Sequence, residues 1–187
     1  MPTADAKLRY GAVAQALHWL IAALIVVQFV LAKMAIGLPL GLHKLILLAR
    51  HKSFGMTILV LAVLRLAWRL FNKPPALPAA MSRFDRGVAR TTHAALYALL
   101  FAMPLTGWMM SSAKNYSVSW FNLFTWPNLI GPSDAAFKLL RSTHHLLSKL
   151  LLAVVVLHIL AALKHHFWNK DGVLLRMLPF IHARTRR

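Results

Sequence analysis

Cysteine and glutamate are both absent from this chain, and its only carboxylates are Asp5, Asp85, Asp134 and Asp171. The lack of cysteine excludes disulfides, thiolate metal sites, iron–sulfur clusters and covalently attached c-type haem. The scarcity of acids argues against di-iron carboxylate centres, glycosidase carboxylate pairs and carboxylate proton relays. Histidine, with ten copies, is the one common metal ligand in supply.

What the chain has in abundance is apolar surface. Its 187 residues are 59% hydrophobic, and the mean hydropathy is +0.60. A helix rises ~1.5 Å per residue, so about 20 apolar residues cross a hydrocarbon core roughly 30 Å thick. Such runs occupy most of the sequence, at about 13–32, 51–71, 89–111 and 141–166. The expected fold is all-α: an integral membrane four-helix bundle forming a single membrane domain over residues 1–187. The first run continues past signal-peptide length with no cleavage site and is expected to remain in the membrane. The segment from Leu38 to Arg50 has amphipathic character and is expected near the interface. Pro104 suggests a kink in the third span. Asn115 to Asp134, rich in Tyr, Trp and Phe, is expected to form an interfacial lid or belt.

The chain carries 22 lysines and arginines and a net charge of +18. These residues sit mainly at the ends of apolar runs rather than along one exposed stripe, which points to a lipid-embedded protein and not a nucleic-acid binder. Sorted by alternate sides of the spans, the larger share falls with the termini, from Lys7 and Arg9 to Arg184, Arg186 and Arg187. The positive-inside rule then puts both termini in the cytoplasm. The opposite side is still basic, with Lys114, Lys138, Arg141 and Lys149 among its charges. A small anion approaching there would be steered inward, although lysines at such sites also meet lipid phosphates.

An imidazole inside an apolar span is costly unless it faces a partner, a cavity or a metal. Fourteen residues separate His144 from His158, so the two rings share a helix face to within roughly 40° and stand about 21 Å apart along the axis. That suits two stacked macrocycles. Each needs a second axial ligand at matching depth, and the natural pairs are His18 with His158 and His51 with His144. Spacing alone leaves His93 open as the partner of His158. His145 points about 100° away from His144, while His43 and His182 fall outside the spans. Arg65, fourteen residues after His51, should face the same seam and meet a haem propionate.

Four blocks of sequence, in order, resemble the bacterial cytochrome b561 family. They are Leu17-His18-Trp19-Leu20; His51 with Gly55, Arg65 and Arg69; His93 with Tyr97, Pro104 and Gly107; and His165-His166-Phe167-Trp168 with Leu174 to Pro179. The resemblance implies two non-covalent b-type haems in a bacterial inner membrane. It favours His18 over His93 as the axial ligand, leaving His93 beside the haem. It also implies electron transfer from superoxide or another periplasmic donor to ubiquinone, with His165 hydrogen-bonding a quinone carbonyl. Two other readings are a cytochrome subunit docking a hydrogenase-like or other dehydrogenase partner, and a histidine-lined metal transporter, the latter disfavoured by the missing acids.

Overall fold

The computed structural model describes residues 9–78 and 81–179; Lys7, His182 and the three terminal arginines lie outside that range. Four helices are long and apolar enough to cross a membrane. They are α1 (Ala12–Ile36), α2 (Leu42–Phe71), α3 (Arg83–Ser112) and α4 (Asp134–Lys164). A two-stranded hairpin, β1 (Val118–Trp120) and β2 (Phe124–Trp126), lies between α3 and α4, and a π-helical turn, His165–Asn169, follows α4. We call the end holding the start of α1 the terminal face and the opposite end the loop face.

Two helices begin at side-chain caps. The Ser82 hydroxyl accepts from Asp85 N–H at the start of α3, and Ser133 accepts from Ala136 N–H at the start of α4. Helix α2 differs from expectation. Nothing between Leu42 and Lys52 breaks a helix, so the segment expected to lie along the interface is instead the first turns of one 30-residue helix. At about 45 Å this helix exceeds the hydrocarbon thickness, and it projects beyond it. Helix α3 runs unbroken through Pro104.

The helices pack in sequence, α1 on α2, α2 on α3 and α3 on α4. Ile21, Ile58, Ala62 and Leu100 form the dry core, flanked by Leu24, Ile25, Leu61 and Phe101. All of these lie on α1, α2 and α3. In α4 only Leu151 is buried. Large apolar side chains such as Val26, Ile36, Leu146 and Leu157 are exposed, a surface that suits lipid and not water.

The aromatic segment is the expected lid. Its strands pair antiparallel, Ser119 opposite Thr125, across a loop in which Phe121 and Asn122 take φ of 49° and 61°. Phenylalanine rarely adopts that left-handed conformation, and two contacts hold it there. The Phe121 N–H donates to Ser53 Oγ at 3.1 Å, and its ring meets Phe54 edge-on at 5.1 Å. Ser53 Oγ also donates to Ser119 O at 2.9 Å, Trp120 Nε1 donates to Thr57 Oγ1 at 3.0 Å, and Lys52 Nζ donates to Ser117 O at 3.1 Å. The hairpin is thus fastened to α2 through residues adjoining His51.

Replacing Ser53 with Ala leaves the Phe121 N–H and the Ser119 carbonyl without this partner. The expected cost is about 1–3 kcal/mol, read as a lowered detergent-denaturation midpoint together with faster proteolysis within residues 115–134. Unchanged proteolysis would show that the hairpin does not depend on this fastening.

Candidate functional site

Helix α4 meets α1 and α2 chiefly through histidines. His18 on α1 and His158 on α4 face each other with ring centres 6.2 Å apart and planes at 71°. His51 on α2 and His144 on α4 do the same at 6.4 Å and 78°. His93 on α3 also reaches His158, with a shorter ring separation of 5.6 Å. The structure brings His18, His93 and His158 together at one depth and His51 and His144 at the other, and the third ring beside His158 is the ambiguity left open by spacing. His145 is exposed on the outer side of α4.

Several residues not singled out from sequence fix these rings. Thr106 Oγ1 lies 3.1 Å from His144 Nδ1, while its own proton goes to Ala102 O or Met103 O, at 2.8 and 2.9 Å. The hydroxyl oxygen is then an acceptor for His144 Nδ1–H, which leaves the Nε2 lone pair available to a metal. Gly107 makes room beside it, since a Cβ there would stand 3.2 Å from His144 Cε1. Gln28, an amide in the middle of an apolar span, donates from Nε2 to His51 O at 2.9 Å, and Gly55 lets it pass, with a Cβ falling 3.0 Å from Gln28 Nε2. His51 Nδ1 is buried without a hydrogen-bond partner, as an imidazole reserved for another group can be. The intramembrane amide of Gln28 was the one sequence signal that could have been followed.

Arg65 donates to Ala14 O at 2.8 Å, which ties α2 to the turn of α1 before His18. The basic residues of the loop face are less uniform. Lys138 and Arg141 are exposed in the first turns of α4. Lys114 is bound to Asp134 at 2.5 Å, a hydrogen bond that raises its pKa above the ordinary lysine range. Lys149 lies five residues beyond His144, about 7 Å further into the apolar part of α4.

At the terminal face His165 is buried, 8% exposed, and Nδ1 lies 2.5 Å from Asp171 Oδ2 and 3.1 Å from the Asn169 amide nitrogen. Asp85 stands nearby, bonded to Lys164 at 3.0 Å; that bond first, and the Ser82 hydroxyl second, hold its carboxyl below the usual carboxylate range. Beyond His165 the chain returns as a strap. Arg176 O accepts from Tyr10 N–H at 3.2 Å and from Gln15 Nε2 at 3.1 Å. Met177 O accepts from Trp19 Nε1 at 2.9 Å, and Arg176 NH1 donates to Ala76 O at 2.7 Å. Gln15 and Trp19 flank His18, so the strap links the ends of the His18–His158 pair.

An imidazole-to-metal bond is about 2 Å and the ring centre lies ~1.2 Å further on, so two rings on opposite sides of one iron stand roughly 6.4 Å apart. The separations of 6.2 and 6.4 Å fit a haem between each pair. Apolar spans joined by facing imidazoles define a membrane cytochrome of the b type. The chain belongs to the prokaryotic cytochrome b561 family, whose sequence pattern matches residues 9–180. It is 35% identical over 173 residues to cytochrome b561 homolog 2 of Escherichia coli K12, covering 91% of each chain. It is 30% identical over 172 residues to the probable superoxide oxidase CybB of Yersinia pestis, covering 91% of this chain and 96% of that one. Identity to cytochrome b561 homolog 1 of E. coli K12 is 26% over 166 residues, 87% of this chain and 93% of that one. The protein is a multi-pass membrane cytochrome of electron transport.

The contact at Gly107 yields a direct test. A Gly107→Val variant should crowd His144 and lower the haem content of purified protein, while Gly107→Ala, which needs a shift of only a few tenths of an ångström, should lose less. Equal, full haem content in both variants would show that the His144 ring does not need this space.

Proposed function

We propose that the chain is a di-haem oxidoreductase of the bacterial inner membrane that passes electrons from superoxide at the loop face to ubiquinone at the terminal face. His18 and His158 would hold one haem, and His51 and His144 would hold the other. The observation that carries this reading is the pair of ring separations, 6.2 and 6.4 Å, both close to the roughly 6.4 Å expected of two imidazoles on one metal. The His93–His158 separation of 5.6 Å is short by that measure, which favours His93 beside the haem and not on its iron.

Each haem, when bound, would supply a one-electron carrier, and an imidazole on each side would suit it to electron transfer over oxygen binding. The chain does the rest. Thr106 holds the His144 tautomer, Gln28 and Gly55 fix the α2 backbone at His51, and Arg65 offers its guanidinium to a propionate. The fourteen-residue step along α4 sets the two carriers at depths about 21 Å apart. The excess of basic residues beside the termini supports a cytoplasmic terminal face, and the loop face is then periplasmic. Two superoxide ions each give up one electron and leave as oxygen, while one quinone takes two electrons and two protons to become quinol. Superoxide as donor is supported by the likeness to the probable superoxide oxidase of Y. pestis. Among the loop-face cations, Lys138 and Arg141 are free to steer an anion, whereas the charge of Lys114 is offset by Asp134 and Lys149 lies deeper.

Fully loaded protein should contain two haems per chain, both low-spin and both extracted by acid-acetone; a single haem would overturn the four-ligand assignment. His93→Ala should keep both and His18→Ala should lose one, and the opposite result would redraw the pair as His93 with His158. Reduction of the haems by superoxide should slow as ionic strength rises, because the screening length falls from about 30 Å at 0.01 M to about 10 Å at 0.1 M. Neutralising Lys138 and Arg141 together should flatten that dependence more than neutralising Lys114. A rate indifferent to salt would remove the steering role, and oxidation of quinol without any reaction with superoxide would remove the donor.

A further inference from the structure

One of the chain's four carboxylates meets a buried imidazole. The sequence argued against a carboxylate proton relay on numbers alone, yet Asp171 touches His165. The local backbone is shaped for the contact. The helix widens into a π turn at His165–Asn169, an irregularity that often marks functional sites. Lys170 then takes φ of 51° and Gly172 φ of 73°, which folds the chain back so that residue 171 meets residue 165. Asp171 Oδ1 also accepts from Val173 N–H at 3.2 Å, which fixes the carboxylate from its other side. The side chains of His165 and Asp171 are only 10% and 13% exposed.

Building on the reading of His165 as the group that meets the quinone carbonyl, we propose that Asp171 is a positioning residue that makes His165 the proton donor for quinone reduction. An ionised carboxylate only accepts hydrogen bonds, so the His165 Nδ1 proton points at Asp171 and Nε2 is the nitrogen left for the quinone. The carboxylate holds that tautomer and stabilises the imidazolium, the role an aspartate plays behind a catalytic histidine. When an electron from the carrier held by His18 and His158 reaches the quinone, the Nε2–H bond breaks and an O–H bond forms at a quinone oxygen. The neutral imidazole regains a proton from water at the terminal face. Two such rounds, with two electrons and two protons, give one quinol. The other charged groups around His165 are Lys164 on α4 and Asp85 on α3, bonded to each other, so Asp171 is the carboxylate directed at the imidazole. The strap that carries Asp171 continues to Gln15 and Trp19 on either side of His18, which brings the dyad to the end of the bundle where that carrier sits.

The test uses full-length, haem-loaded protein in lipid nanodiscs, reduced chemically and then mixed with a short-chain ubiquinone or with ferricyanide, an oxidant that takes no proton. Asp171→Asn should slow haem reoxidation by quinone about 10–100-fold, leave reoxidation by ferricyanide unchanged and alter the KM for quinone little. It should also shift the pH profile of the quinone reaction, and Asp171→Glu should restore part of the rate. The unmodified protein should show a solvent deuterium effect with quinone and none with ferricyanide. If His165→Ala slows the quinone reaction while Asp171→Asn does not, the dyad is overturned and the quinone contact stands. If His165→Ala leaves the quinone reaction untouched, the quinone reading of His165 itself fails. Should Asp171→Asn lose haem or fail to fold, the deuterium comparison on unmodified protein decides, and equal effects with both oxidants overturn the proposal.

Discussion

An imidazole in hydrocarbon must be answered by another polar group or a metal, and the architecture follows from that requirement. Helices α1, α2 and α3 share a small apolar core, and in lipid such packing gains little because the tails outside are as apolar as the side chains within. Helix α4 contributes one buried residue of its own. What relates it to α1 and α2 is the set of facing histidines, two pairs at two depths. Helix α4 is held by its packing on α3, and the imidazoles proposed to hold the haems are also the groups through which it faces α1 and α2. The polar residues around them are likewise assigned: Thr106 to one ring, Gln28 to the backbone at another, and Arg65 to the turn of α1 before His18.

The charges divide the molecule differently. All three described aspartates sit at helix ends or beyond them, and each has a cationic or imidazole partner: Lys114 for Asp134, Lys164 for Asp85 and His165 for Asp171. Exposed ion pairs contribute little to stability, so the first two serve mainly to place neighbouring side chains. The pair at Asp171 is the sheltered one, and it lies on the segment that crosses the terminal face.

Much of this was legible in the sequence because hydropathy and helical spacing carry over long distances. The positions of the four spans and the shared face of His144 and His158 follow from a rise and a rotation per residue that bilayer helices obey closely. The aromatic lid was visible too, though not that Ser53 and Thr57 would fasten it, because a serine in an apolar run looks like any small packing residue. The extension of α2 back to Leu42 was missed because amphipathic character does not reveal whether a helix bends into the interface or continues past it. The Asp171–His165 contact depends on a π turn and on left-handed residues on either side of Asp171, at Lys170 and Gly172, features that no simple periodicity encodes.

The strap across the terminal face also bears on how the molecule is assembled. Its side-chain hydrogen bonds to Arg9, Gln15 and Trp19 join residues 158 to 169 positions apart, contacts of high loop-closure cost that must await the last span. A nascent chain can bring α1, α2 and α3 together as they insert, but the surroundings of His18 are completed only when residues 174–178 have left the ribosome. The two ends of the bundle therefore mature at different times: the lid on α2 can close before α4 has been made, and the terminal face is the last part to become competent.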